Sequence, residues 1–310
     1  MNGIRETQVE LSIVIVSWNV KELLRKCLQS IGRYTKDVSY EIIVVDNASA
    51  DGSAAMVRKD FPQARLIAND KNVGFGAANN QAAGIARGRY ILLLNPDTEI
   101  KDDAFAAAVK FMETRKDIGG LGLKLVFPDG TPQGSVAPPL TLLGFLMAGY
   151  LPMLAGAFVL RDAGSFAPVE QPTAACLLLR KDLFDRVGGF DERFFAAYED
   201  VDLCVRLKKA GVKLFFYPDA VVIHHKSSCS RERYEECASV KYRSEFSLIQ
   251  KYYGRMGTGL ILASAHAHAL FAQALFPVTH RLCGRPRDVS YFQKNALSRL
   301  NAYNDMLKGR

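Results

Sequence analysis

Apolar runs and amphipathic stretches alternate through the first third of the chain. Leu11-Ser-Ile-Val-Ile-Val-Ser17 is a β-branched run that predicts a strand, and Lys21 to Tyr34 then spaces Leu23, Leu24, Cys27, Leu28 and Ile31 along one helical face. Glu41 to Asp46 is a second apolar strand, ending in a carboxylate, and a helix to about Asp60 follows with Asp51 as its expected N-cap. A short strand over Ala64–Ala68, a helix over Gly76–Ala86, a strand ending at Asn95 and a helix over Asp102–Arg115 continue the series. Strands alternating with helices imply βαβ units with right-handed crossovers, hence a doubly wound, mostly parallel sheet in an α/β fold.

Periodicity is lost between Phe127 and Pro172, where seven prolines break any long element while Ala137 to Leu160 carries no charge. That segment reads either as a loop over a site or as a membrane-dipping insertion; Gly144, Gly149, Pro152 and Gly156 argue against a lone spanning helix. Regular pattern returns with a strand over Thr173–Arg180, a helix over Glu199–Ala210, and strands over Val212–Tyr217 and Ala220–His224.

Charge and composition narrow the class. The net charge is +8 over 310 residues, and nine Lys or Arg from Lys251 onward against Asp288 and Asp305 supply +7 of it (9 − 2). The same tail holds the uncharged run Met256 to His280, a pairing that fits an anionic membrane surface and not nucleic acid. A helix packed on the rest of the protein is the competing reading. Six cysteines without a CxxC pair indicate neither a zinc ribbon nor a disulfide framework, so a reducing compartment is expected. Met1 to Glu10 has no apolar core, and nothing there marks the chain for secretion.

Four polar clusters stand at element edges. In Tyr90-Ile-Leu-Leu-Leu-Asn-Pro-Asp-Thr98 a run covered on both faces delivers Asp97 to a strand's carboxyl end, because Pro96 cannot donate to the ladder. Asp97 there either holds a divalent cation against phosphate oxygens or starts the next helix. Asp46 either accepts from the ring N–H of a uracil or thymine base or closes an Asx-turn. Gly74 and Gly76 after Asn72 allow close backbone approach at a helix start, but Asn79 stands where a dinucleotide fingerprint needs its third glycine. Glu199 and Asp200 serve as a base or merely favour a helix N-terminus, and His224, beside His225, ends an apolar run as Asp97 does. No GxSxG and no Ser-His-Asp order support covalent catalysis.

The ordered series SIVIVSWN (12 to 19), EIIVVDNASADGS (41 to 53), NVGFGAANN (72 to 80), GRYILLLNPDT (88 to 98), VGGFDERFF (187 to 195) and YEDVDLCVRL (198 to 207), with the His pair, resembles the inverting glycosyltransferases of family 2. It is most similar to rhamnosyltransferase-type members that act on lipid-linked saccharides. The resemblance covers about residues 9 to 228. It implies a GT-A fold, a Rossmann-like α/β/α sandwich, with a catalytic domain over 1–230; the unpatterned stretch at about 128–172 is then expected as an insertion near the acceptor side, and the basic, apolar pattern of 231–310 as a helical, membrane-associating region. It further implies that Asp46 reads a pyrimidine, that Asn72 and Gly74 line the nucleotide pocket beside Asn95, that Asp97 and His224 hold Mg²⁺ or Mn²⁺, and that Asp200 is the general base with Glu199 as its understudy. The expected activity moves a sugar, L-rhamnose from dTDP-rhamnose, to a lipid-linked or polysaccharide acceptor at the cytoplasmic membrane face; transfer of galactofuranose, glucose or an N-acetylhexosamine from a dTDP- or UDP-sugar, and a non-catalytic nucleotide-sugar-binding membrane scaffold, are the alternatives. The family's DxD triplet reads Asn95-Pro96-Asp97 here, so one carboxylate carries the cation from this strand. Thr173-Ala-Ala-Cys stands where the family often has Gly-Ala.

Overall fold

The computed structural model describes residues 9–137, 139–147, 164–225, 234–274 and 287–309. Two compact units divide it: residues 1–139, 160–192 and 199–227 in the first, and 140–159, 193–198 and 228–310 in the second.

The first unit is built on one sheet in the order β3 (Arg65–Ala68), β2 (Tyr40–Asp46), β1 (Leu11–Ser17), β4 (Tyr90–Leu94), β11 (Cys176–Arg180), β6 (Gly120–Val126), β12 (Leu214–His224) and β5 (Thr98–Glu99). Its early part follows the sequence pattern: β1 (Leu11–Ser17), α1 (Lys21–Tyr34), β2 (Tyr40–Asp46), α2 (Ser53–Asp60), β3 (Arg65–Ala68), α3 (Phe75–Ile85) and β4 (Tyr90–Leu94). β1 runs parallel to β2 and β4, and β2 to β3. Every residue of β1 and β4 is buried, as a strand covered on both faces requires. Leu11, Ile13 and Ile15 pack with Leu24 and Leu28 of α1, whereas Val14 and Val16 pack on the other face with Ala78 and Ala82 of α3. That division makes a three-layer α/β/α sandwich. Each fully buried Leu or Ile contributes roughly 1.5–3 kcal/mol.

Beyond β4 the pattern and the structure diverge in places. Thr98–Glu99 forms a short strand, β5, and α4 spans Ala104–Thr114, so neither Asp97 nor Thr98 begins a helix. α2 is preceded by Gly52 in a left-handed conformation (φ 82°) at its N-cap, one residue after the expected Asp51. β6 (Gly120–Val126) lacks an apolar run because β11 (Cys176–Arg180) and Pro172 press close: a Cβ on Gly122 would lie 2.4 Å from the Pro172 Cβ. β11 is antiparallel to both β4 and β6. The stretch after Phe127 contributes β7 (Pro132–Gln133), β8 (Val136–Ala137), β9 (Ala167–Val169) and β10 (Gln171–Pro172). After α6 (Lys181–Arg186) and α7 (Glu199–Lys209), one strand, β12 (Leu214–His224), replaces the two that Pro218 and Asp219 suggested; a register shift between Tyr217 and Val221 absorbs them.

The second unit is helical: α5 (Leu142–Met147), α8 (Tyr234–Ala274), broken at Gly254, and α9 (Arg287–Leu307). Ile261, Ala265, Ala269 and Ala272 form a buried stripe on α8, and Ala296, Ala302 and Tyr303 of α9 share its clusters. Most of the uncharged 140–160 segment, and the end of the 258–277 run, lie outside the described residues. Among the described residues, no helix is long and apolar enough to cross a membrane. Cys237 is disulfide-bonded, a pairing that the cysteine spacing does not predict, while Cys27, Cys176 and Cys204 are free and buried.

Candidate active site

Strand register brings Asp46, Asn95 and His224 to a single sheet edge. Ser17 and Asp46 are partners at the carboxyl ends of β1 and β2, and Ala68 closes β3 beside Asp46. Asn95 follows β4 and donates its backbone N–H to Ala175 O (2.9 Å), while His224 ends β12 opposite Thr98. In open α/β sheets this carboxyl edge is where ligands bind.

Asp46 is 3 % exposed and accepts from the Ser49 N–H (3.0 Å) through Oδ2. Its Oδ1 and the neighbouring Ser17 Oγ are buried and make no hydrogen bond among the described residues. A carboxylate oxygen left without a partner in such a place is costly unless a ligand donates to it. The Asx-turn and the ligand readings of Asp46 are therefore compatible, one oxygen for each.

Beside it the Asn72 Oδ1 accepts from the Gly74 N–H (2.9 Å), and Gly74 takes φ 90°, ψ 168°, a conformation essentially restricted to glycine. Asn47 Nδ2 donates to Gly74 O (3.1 Å) and Asn69 Nδ2 to Asn47 Oδ1 (2.9 Å). Asn72 thus shapes the turn before α3, while Asn47 and Asn69, which motif spacing did not single out as ligands, tie that turn to the end of β2.

At the other end of the edge Asp97 Oδ1 lies 3.2 Å from His224 Nε2; both residues are buried. Asn95 Nδ2 is 3.4 Å from the same nitrogen, so the amide in place of the missing acid approaches the histidine. His225 turns away: its Nε2 meets Glu99 Oε1 at 2.7 Å, and its backbone N–H binds Asp97 O (2.9 Å). An oxygen and an imidazole nitrogen 3.2 Å apart match adjacent ligands of one small divalent cation. Among the described residues no group of three or more His, Cys, Asp or Glu side chains could hold a metal. Two protein ligands fit a cation that takes its remaining contacts from substrate phosphate and water, the usual arrangement for Mg²⁺.

The proposed base residues open α7. Asp200 Oδ2 accepts from the Ala174 N–H (3.2 Å), two residues before β11, and Oδ1 from the Val201 N–H (2.8 Å). Ala174 places this carboxylate at the edge occupied by Asn95. Asp202 is fully buried and pairs with Arg206 (2.7 Å), a structural contact.

A family model described as glycosyl transferase family 2 matches residues 12–166, and a second, glycosyl transferase family group 2, matches residues 90–283. The N-acetylglucosaminyl-diphospho-decaprenol L-rhamnosyltransferase of Mycobacterium tuberculosis is 31% identical over 239 residues, which cover 70% of this chain and 76% of that one. The chain belongs to glycosyl transferase family 2. It is also similar to the rhamnosyltransferase WbbL of Escherichia coli K12, 28% identical over 77% of this chain and 92% of the relative. A mannosyltransferase from Pyrobaculum calidifontis, solved with GDP-Man and Mn²⁺, shares the fold with a TM-score of 0.60 at 16% identity, over 98% of this chain and 89% of that one.

In this glycosyltransferase the two adjacent acids differ. Burial, reinforced by the neighbouring Asp200 charge, pushes the Glu199 carboxyl up to about 8, and its Oε2 makes no hydrogen bond among the described residues. Burial also raises Asp200, against the two backbone N–H groups that favour its charged form. Both carboxyls are thus pushed toward the protonated form, Glu199 without a hydrogen bond at Oε2 to oppose the shift. Asp200 alone of the two accepts backbone N–H groups that favour its charged form at both oxygens.

Proposed function

We propose that this glycosyltransferase moves L-rhamnose from dTDP-rhamnose to a polyprenyl-diphosphate-linked saccharide, with inversion, at the cytoplasmic face of the cell membrane. The approach of Asp97 Oδ1 to His224 Nε2 at the ligand-binding edge carries the metal-dependent part of this reading. The rhamnose is supported by the names of both bacterial relatives, and the lipid-linked acceptor by that of the Mycobacterium tuberculosis enzyme.

Asp46 Oδ1 and Ser17 Oγ would receive and orient the pyrimidine end of the donor, with the Gly74 turn close to its ribose and phosphates. Asp97 and His224 would hold Mg²⁺ or Mn²⁺ beside the diphosphate. When bound, such a cation neutralises charge developing on the leaving group. Asp200 takes the proton of the acceptor hydroxyl as that oxygen bonds to the anomeric carbon; the bond from that carbon to the diphosphate breaks and the nucleoside diphosphate departs. A single displacement needs no enzyme nucleophile. The raised affinity of Asp200 for a proton suits a base, and a neutral Glu199 keeps a second negative charge from its side.

Residues 1–230 would carry catalysis, with the insertion at about 128–172 near the acceptor, and 231–310 would associate with an anionic membrane surface. Exposed Met256, Leu260 and Leu270 on α8 and the basic tail support this association. Salt should then only partly release the protein from anionic vesicles; complete release would leave charge alone as the attachment.

A screen of purified protein against dTDP-, UDP- and GDP-sugars, with a short polyprenyl-diphosphate N-acetylglucosamine acceptor and Mg²⁺ or Mn²⁺, tests the donor. Inverted transfer from dTDP-rhamnose is expected. Turnover of a UDP- or GDP-sugar instead overturns the rhamnose assignment, and binding of donors without transfer or hydrolysis favours a scaffold.

A further inference from the structure

Gln133 lies in the stretch whose prolines hide its order, yet it is 6 % exposed and its amide grips His224 at both ends. Its Nε2 donates to the His224 backbone carbonyl (3.2 Å), which fixes the orientation of the amide and turns Oε1 toward the ring. There Oε1 stands 2.5 Å from His224 Nδ1 and can only accept, so Nδ1 carries the proton. In the Nδ1–H tautomer Nε2 is the nitrogen with a free lone pair, and Nε2 is the one facing Asp97 Oδ1. The backbone of Gln133 is pinned as well: it pairs with Leu125 in β6, and its carbonyl accepts from Ser135 Oγ (3.1 Å), which itself accepts from the Leu125 N–H (2.9 Å).

We propose that Gln133 is a positioning residue that locks His224 in the Nδ1–H tautomer and so presents Nε2 as a ligand beside Asp97. The proposal rests on the reading of Asp97 and His224 as cation ligands. A metal-binding histidine needs its second nitrogen tied to an acceptor to set the ring's orientation and basicity, and removing that acceptor typically lowers metal affinity about 10- to 100-fold. Gln133 is the group that meets this need, from a position 91 residues earlier in the chain.

The test uses the full chain with ¹⁵N-labelled histidine and Mn²⁺ as the probe. In metal-free wild type, His224 should show a protonated Nδ1 and an unprotonated Nε2; in Gln133→Leu the two tautomers should mix, and Mn²⁺ affinity, measured with dTDP present, should fall about tenfold. Gln133→Glu keeps the acceptor at Nδ1 and should recover most of the affinity, which a merely packed side chain at this position would not explain. A single Nδ1–H tautomer and unchanged Mn²⁺ affinity in Gln133→Leu overturn the positioning role. His224→Ala, measured in parallel, separates the two levels: if it lowers Mn²⁺ affinity while Gln133→Leu does not, only the positioning role fails. If His224→Ala keeps wild-type Mn²⁺ affinity, the ligand reading fails and this proposal with it.

Discussion

Two buried charge clusters, one in each compact unit, differ in how far they satisfy themselves. In the helical unit Glu245 is closed on all sides: Arg299 pairs with its Oε1, Tyr303 Oη donates to the same oxygen (2.8 Å), and Tyr198 Oη donates to Oε2 (3.2 Å). Arg299 also donates through Nε to Tyr303 Oη and through Nη2 to Phe145 O, both at 3.0 Å. In the α/β unit Asp46 and Glu199 each keep one carboxylate oxygen that meets no donor among the described residues. Both oxygens belong to buried residues, whereas Asp97 Oδ1 lies 3.2 Å from His224 Nε2. A closed cluster holds a fold, whereas an open one at a strand edge awaits a ligand.

Breaking the closed cluster should therefore cost stability first. Glu245→Ala strands Arg299 among buried groups and should destabilise by about 3–5 kcal/mol, seen as a Tm lower by roughly 10 °C. Replacing both partners, as in Glu245→Leu with Arg299→Met, should restore much of that loss, and a double variant as unstable as the single one would contradict the picture of a self-contained pair.

The open cluster should respond in activity. Asp200→Asn should lower transfer by about 10²- to 10⁴-fold while leaving the thermal transition nearly in place, because the amide oxygen can still accept from a backbone N–H. Full activity in this variant would remove Asp200 as the base. Asp46→Ala gives up one hydrogen bond to a charged acceptor, worth about 1.5–3 kcal/mol, and should raise the donor KM at least about tenfold with a smaller change in kcat.

The smallest effect lies in the pH dependence of stability. Glu199 has its folded pKa raised from 4.5 to about 8, so the folded state keeps a proton that the unfolded chain releases. Its contribution is fully present below about pH 4.5 and is lost as pH rises through 8. Glu199→Gln should flatten this slope and raise Tm at pH 8 by about 2 °C or more relative to wild type. An unchanged slope would mean that Glu199 is ionised in the folded protein.

Sequence pattern reached the open cluster more readily than the closed one. Asp46, Asp97 and His224 each terminate an apolar run, so strand ends announce them. Gln133 does not, because its strand is two residues long and set between prolines; only the pairing with Leu125 makes it part of the sheet. β6 was hidden by Gly120 and Gly122, which exist to admit β11 and Pro172, and β12 was split in two by Pro218 at a bulge. Glu245 and Arg299 look like solvent-facing charges on long helices. Nothing local shows that residues 54 positions apart neutralise each other inside the second unit.

On the proposed mechanism Asp97, supported by His224, binds a cation for the donor diphosphate while Asp200 acts elsewhere on the reaction. Titrating dTDP into wild type, Asp97→Ala and Asp200→Asn, with and without Mn²⁺, tests it most directly. Mn²⁺ should strengthen dTDP binding in wild type and in Asp200→Asn, and make no difference in Asp97→Ala. A full Mn²⁺ effect in Asp97→Ala would contradict the account.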